Sequence, residues 1–356
     1  MKKLNVCVLF GGVSPEHDVS LRSAEAVLNH LDKEKYELFP VGITKEGQWI
    51  LYGGTDYSTL PADQWLNDDG NRPAAISPVR GQGLLCFDGD SVSTQHIDVV
   101  FPVLHGENGE DGAMQGLLQL AGIAYVGPHV SASAVSMDKT LTKLVADKAG
   151  VPQAAWQLVR RSDLDVRMEQ TLDTLESRFA YPMFVKPSGT GSSVGVSKAA
   201  DRTALAQALT AAAAFDEKVL VEEFIRGREV EVAVMGNASP MASVCGEIDS
   251  GADFYDYDAK YITDTSTAYI PARIDDEVAE RVREAAVKIY SAIGCCGLSR
   301  VDFFVTYDDN QVIFNEINTL PGFTSISMYP KLFGASGIPY SQLLDELLRL
   351  ALEARA

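Results

Sequence analysis

The chain has 356 residues, of which 46% are hydrophobic and 22% charged, and a formal charge of -19. This length supports two or three domains with proper cores, and the acidic balance argues against nonspecific binding to nucleic acid or an anionic membrane, so an anionic substrate must be met by local donors. Five scattered cysteines without C-x-x-C spacing give no disulfide framework and fit a reducing cytosol, and no run of about 18 apolar residues is present to span a membrane.

The apolar run that ends at Phe10 stops at Gly11-Gly12, too short for a secretory segment, and reads as a first buried strand from Val6 to Phe10. A helix from about Ser20 to His30 and strands at Glu37–Ile43, Ile97–Pro102 and Ile123–Tyr125 continue an alternating pattern, which predicts an α/β unit with a largely parallel sheet. Residues 53–95, richer in Gly, Pro, Asp and Asn, read as loops with a short hairpin. A second unit follows from about residue 129, with helices near Ala132–Gly150, Leu164–Phe179 and Ala204–Phe215 and a strand at Met183–Lys186. The third unit begins near Val219 and carries a strand at Val230–Met235, a helix at Glu277–Ile293 and a closing helix from Tyr340 to about Arg355. The expected divisions are 1–128, 129–218 and 219–356.

Two segments carry chemistry. Leu298 to Asn318 reads as a β-hairpin about an Asp308-Asp309-Asn310 turn. A turn centred on Asp309 sets Asp302 opposite Glu316, and the two-residue period puts Asn318 on the face of Glu316. Facing carboxylates repel, and apolar neighbours of Glu316 would raise its pKa, so a divalent cation answers both objections. Two carboxylates and an amide oxygen suit Mg²⁺ or Mn²⁺ better than zinc. An acidic, solvated edge hairpin is the alternative.

Pro187 to Gly195 holds three glycines, three serines and a threonine directly after Lys186. Successive amides of such a loop can wrap phosphate oxygens, although glycine-serine loops also serve as plain connections. The lysine precedes the glycines, so this is not a Walker A loop, and Gly11-Gly12-Val13-Ser14 does not meet the dinucleotide-binding pattern. Lys139 is a second candidate phosphate contact, although a single helical lysine is usually solvated. The apolar edge beside Glu223 to Ile225 could pair with a flat adenine while Glu229 accepts from a ribose hydroxyl, or this stretch is a domain-linking strand with a charged turn.

Taken together, Gly11–Ser20, His105–Gly112, Met137-Asp138-Lys139, Lys186–Gly195, Phe254–Tyr261 and Asn315–Ser327 resemble, in order and spacing, the D-alanine–D-alanine ligases of the ATP-grasp superfamily. The likeness covers essentially the whole chain. It implies a mixed α/β ATP-grasp fold, with an N-terminal parallel α/β domain, a central domain and a C-terminal mixed-sheet domain, and nucleotide between the last two. By that resemblance Lys139, Lys186, Ser193 and Lys260 contact the phosphates of ATP, and Glu222, Glu223, Phe224, Ile225 and Glu229 frame adenosine. Asp302, Glu316 and Asn318 bind two Mg²⁺ or Mn²⁺ ions. Glu16 holds the ammonium of the first of two D-alanine molecules, Ser192 and Tyr261 complete a triad with it, and His105 lies nearby. Ser327 binds the second substrate's carboxylate beside Met328, and Arg300 with the Gly322 amide stabilises the reacting carboxyl group.

Tyr261, and the absence of an added basic residue at Met328, resemble members that add D-alanine rather than D-lactate. A cytoplasmic homodimer serving peptidoglycan precursor synthesis is also implied. The competing readings are another ATP-grasp ligase joining a carboxylate to an amine, which should lack the combination of Glu16, Ser192, Tyr261 and Ser327, and a non-catalytic nucleotide or metal sensor, which would have no use for Arg300.

Overall fold

The computed structural model describes residues 2–191, 194–249 and 267–354. The first third runs β1 (Leu4–Gly11), α1 (His17–His30), β2 (Tyr36–Ile43), β3 (Trp49–Leu51), β4 (Arg72–Ile76), β5 (Leu84–Asp88), β6 (Ser91–Gln95), β7 (Val99–Val103), α2 (Ala113–Ala121) and β8 (Ala124–Tyr125). These strands form one sheet in the order β6-β5-β4-β3-β2-β1-β7-β8. Only β2-β1-β7-β8 is parallel; β3 to β6 extend the sheet antiparallel, so the expected parallel character holds for the half that ends at the β8 edge, and the 53–95 region adds strands to the same sheet.

The unbroken apolar run of β1 is explained by two-sided burial. Val6, Val8 and Phe10 face one core with Leu21, Val27 and Leu28 of α1, whereas Cys7 and Leu9 face another with Leu118 and Ala121 of α2.

The chain continues with α3 (Val130–Met137), α4 (Lys139–Ala149), β9 (Trp156–Arg160), α5 (Arg161–Arg178), β10 (Met183–Pro187), β11 (Ser197–Ala199), α6 (Arg202–Phe215) and β12 (Lys218–Glu223). The sequence predicts one helix over Ala132–Gly150, but Asp138 divides it: its carboxylate accepts from the Thr140 and Leu141 amides and caps α4. A four-stranded sheet, β11-β10-β12-β9, packs against α5 and α6. Because β12 belongs to this sheet, the chain passes to the next one between Glu223 and Gly227, just beyond the expected start at Val219.

The last part holds β13 (Gly227–Met235), β14 (Met241–Asp249), β15 (Thr267–Tyr269), α7 (Asp276–Ile293), β16 (Leu298–Thr306), β17 (Val312–Asn318), α8 (Met328–Ala335) and α9 (Tyr340–Glu353). Its five strands run β15-β14-β13-β16-β17. One face of this sheet shares a core with α7 and with Ala132 and Ala146 of α3 and α4. Leu343, Leu344, Leu347 and Leu348 of α9 instead join the core of the first sheet, and this swap brings the loop after β17 against the N-terminal unit.

Candidate active site

The hairpin β16–β17 is built around one extra residue. Val305 pairs with Val312 and Phe303 with Phe314, which centres the turn between Asp308 and Asp309 instead of on Asp309. Asn315 then has no partner opposite, and pairing resumes with Asp302 against Glu316, Val301 against Ile317 and Arg300 against Asn318. Strict alternation would put Glu316 on the same face as Phe314, which is fully buried; the bulge turns it over to the opposite face. Val301, Phe303, Phe314 and Ile317 therefore stay in the core, while Arg300, Glu316 and Asn318 line the cavity.

Asp302 lies under Arg300 and is 8% exposed. Its carboxylate accepts from Arg300 Nε and Nη2, both at 2.8 Å, and from Asn318 Nδ2 at 3.0 Å. Arg300 Nε is also 3.2 Å from Glu231, which pairs with Asp302 from β13, so Glu231, Asp302 and Glu316 form a row across three strands. Burial alone would lower the Arg300 pKa, but Asp302 and Glu231, with Glu316 beyond, hold it well above its ordinary value. The guanidinium stays charged.

Across the cavity, the Lys186 ammonium at the end of β10 sits 2.5 Å from Glu222 and 3.3 Å from Asn315 Oδ1. The other Glu222 oxygen pairs with Lys143 of α4. Burial pushes the Glu222 carboxyl up, yet Lys143 and Lys186 outweigh it and bring the pKa to about 2. Lys186 in turn is held above its usual pKa against its own burial by Glu222, Glu316 and Glu229. Glu222 thus pairs with two lysines and helps keep Lys186 charged, and its carboxylate is engaged by both while it lines the cavity beside Glu223, Phe224 and Ile225. The rings of Phe184 and Phe224 stack with centroids 5.9 Å apart, and the Lys198 ammonium lies 4.6 Å from the centre of the Phe224 ring.

The glycine-rich loop is tied to the start of α4. Lys139 Nζ donates to the Thr190 carbonyl at 2.6 Å, the Lys139 amide to the Ser188 carbonyl at 2.9 Å, and Ser188 Oγ to Asp138 at 2.7 Å. Gly191 then reaches Glu16: a Cβ built on it would lie 3.1 Å from Glu16 Oε2. A Cβ on Gly106 would come within 2.6 Å of the same oxygen, and Gly106 has φ of +68°, so only glycine serves there.

Burial drives His105 below its ordinary pKa despite nearby Glu16, so the ring is neutral at pH 7. Its Nδ1 is 2.9 Å from the Leu320 carbonyl and carries the ring proton; Nε2 faces Ser23 Oγ at 3.4 Å. Ser327 Oγ accepts from the Thr324 amide at 3.0 Å, and a Cβ on Gly322 would lie 2.8 Å from it. Met328 is buried, with its terminal methyl against Gly246.

Among the described residues singled out from sequence, all but the deeper Asp302 line one cavity of about 1910 Å³. Ser192, Ser193, Lys260 and Tyr261 lie outside the described residues. The sequence reading missed Lys143, Glu231, Glu110 and Phe184. Two of them carried a signal: Lys143 is one helical turn after Lys139, and Glu231 is two strand positions after Glu229.

Family models match both halves, the D-Ala D-Ala ligase N-terminus over residues 5–128 and the C-terminus over residues 145–349. A protein named D-alanine--D-alanine ligase from Caldicellulosiruptor bescii is 49% identical over 359 residues, covering 99% of this chain and 96% of the relative. Among solved structures, the VanG D-Ala:D-Ser ligase from Enterococcus faecalis superposes with a TM-score of 0.90 at 39% identity, covering 98% of this chain and 100% of that one. The D-alanine-D-alanine ligase from Coxiella burnetii gives a TM-score of 0.87 at 36% identity, covering 100% of this chain and 95% of that one. With both halves matched and nearly half of all positions identical to such a relative, the chain belongs to the D-alanine–D-alanine ligase family.

Proposed function

We propose that this protein uses ATP to join two D-alanine molecules into D-alanyl-D-alanine, releasing ADP and phosphate, as a step in making peptidoglycan precursor. The observation that carries the reading is the meeting, in one cavity, of the half-buried Lys139 and Lys186, the oxygen-bearing face of β16–β17, and a carboxylate and backbone amide suited to an amino acid.

A carboxylate is a poor electrophile. The first D-alanine, its ammonium at Glu16, becomes reactive when one of its carboxylate oxygens takes the γ-phosphoryl group of ATP, giving an acyl phosphate and ADP. Lys139 and Lys186 offset the phosphate charge, and the stacked Phe184 and Phe224 offer a surface for the base. The Glu223 amide is bonded to the Ala155 carbonyl at 3.0 Å, so a base would use the Glu223 carbonyl and the Ile225 amide. The neutral amine of the second D-alanine, its carboxylate at Ser327 and its methyl toward Met328, then attacks the acyl carbon. Arg300 and the Gly322 amide stabilise the oxyanion, the carbon–oxygen bond breaks as the nitrogen gives up a proton, and phosphate leaves with the former carboxylate oxygen and that proton. The contact of Gly191 with Glu16 supports a loop that keeps water from the acyl phosphate.

The oxygen donors of Asp302, Glu316 and Asn318, on adjacent rigid strands with neither thiolate nor imidazole, suit two Mg²⁺ or Mn²⁺ ions, which Asp302 would reach by exchanging contacts with Arg300 and Asn318. Bound there, the cations would neutralise the terminal phosphates. The three sheets support three units, with the second sheet running on to Glu223, and the division into units 1–128, 129–218 and 219–356 goes with this reading. So does a cytoplasmic homodimer, supported by the family resemblance. Among the described residues no helix is long and apolar enough to cross a membrane.

Incubation with D-alanine, ATP and Mg²⁺ should release phosphate and dipeptide one for one. ATP hydrolysis without dipeptide would overturn the reading, and turnover only with D-serine or D-lactate as acceptor would move the assignment of the second subsite.

A further inference from the structure

The Leu320–Phe323 segment has no helix or strand of its own, yet it carries the Gly322 amide. A loop amide aims at a reacting atom only if its neighbours are held. Here they are held by side chains from the other end of the chain. Glu110 Oε1 accepts from the Leu320 amide at 3.0 Å, and its Oε2 accepts from the Gly106 amide at 2.9 Å. The neutral His105 donates from Nδ1 to the Leu320 carbonyl, so both polar groups of Leu320 are taken by the 105–110 segment. On the far side of Gly322, the Phe323 amide donates to Ser23 Oγ at 3.2 Å, and Ser23 faces His105 Nε2.

We infer that Glu110 is a positioning residue: with His105 and Ser23 it brackets Leu320 to Phe323 and so fixes the Gly322 amide for the ligation step. The inference rests on the proposed role of Gly322 as oxyanion donor. Glu110 is well suited to such a task. Burial, then the neighbouring Glu16, raises its pKa above the ordinary carboxylate range, while the Gly106 and Leu320 amides that its two oxygens accept pull the other way.

The bracket serves the second half-reaction more than the first. Phosphoryl transfer depends on the lysines of α4 and β10, which Glu110 does not touch. A displaced Gly322 amide would slow attack by the amine while acyl phosphate still formed, and water would then convert it to D-alanine and phosphate. Glu110→Gln is the probe, because the amide NH₂ cannot accept a hydrogen bond and one of the two backbone amides loses its partner.

Phosphate and dipeptide are measured together for the wild-type enzyme and this variant, with ATP varied. Expected are a kcat for dipeptide about 10-fold lower or less, KM for ATP within about twofold, and a phosphate-to-dipeptide ratio above one. A ratio that stays at one overturns the inference, whatever happens to kcat. Ser23→Ala, which frees the Phe323 amide, decides the question by the same ratio should Glu110→Gln fail to fold. Wild-type enzyme that makes no dipeptide would instead count against the proposed function.

Discussion

Glu316→Gln is expected to lower dipeptide formation by about 10³-fold, corresponding to roughly 4 kcal/mol of lost transition-state stabilisation, without loss of fold. Glutamine has the shape of glutamate, and the side chain lies on the cavity face of β17, away from the Phe303 and Phe314 core. Removing its charge relieves the row formed with Asp302 and Glu231 but also takes a carboxylate from Lys186 and Arg300, so the two effects oppose and the unfolding midpoint should change little. What is lost is one of two carboxylates able to hold cations against the nucleotide. Phosphate release, dipeptide yield and thermal unfolding of the variant give the answer together; turnover at the wild-type rate would remove Glu316 from the metal assignment.

The second large effect is expected at Arg300. Its guanidinium bonds Asp302 through two nitrogens, and one of these, Nε, also faces Glu231. Arg300→Lys keeps the charge but has no planar fork, so it cannot hold Asp302 in the same bidentate way while also reaching an oxyanion. Its kcat should fall by about 10²- to 10³-fold, the usual loss for a missing oxyanion donor. Arg300→Met goes further and leaves two carboxylates without their counter-ion; breaking a buried pair of this kind costs about 3–5 kcal/mol, readable as a lower urea midpoint. Arg300→Lys with kcat within a few-fold of wild type would show that the fork is not used in the reaction.

The contrast between these two sites explains what the sequence reveals. The pairing of Asp302 with Glu316 is legible because two apolar runs flank a turn, and period-two alternation does the rest. The bulge at Asn315 is not legible, since nothing in the local pattern marks an extra residue. A turn half a residue off and an unseen bulge compensate, and the expected pair results. The division of α3 from α4 at Asp138 was hidden for a different reason: the apolar pattern runs on through a residue whose carboxylate acts as a cap.

Partnerships across the chain lie further from reach. Lys143 and Glu222 sit in separate elements, a helix and a strand of the second unit, and only the fold shows that one buried carboxylate serves two lysines. The same holds for Glu110, whose segment reads as part of a motif but whose partner Leu320 lies at the other end of the chain. The antiparallel half of the first sheet was masked by a turn-rich composition, in which short strands such as β3 to β6 leave little periodic signal.

Everything turns on whether a carboxylate oxygen is phosphorylated on the way to the peptide bond. D-alanine labelled with ¹⁸O in its carboxylate, incubated with the enzyme, ATP and Mg²⁺, tests this directly by mass spectrometry of the phosphate released. One labelled oxygen in each phosphate, in step with dipeptide, is the result predicted by an acyl phosphate held between the lysines and the β16–β17 face. Dipeptide accompanied by unlabelled phosphate would contradict it.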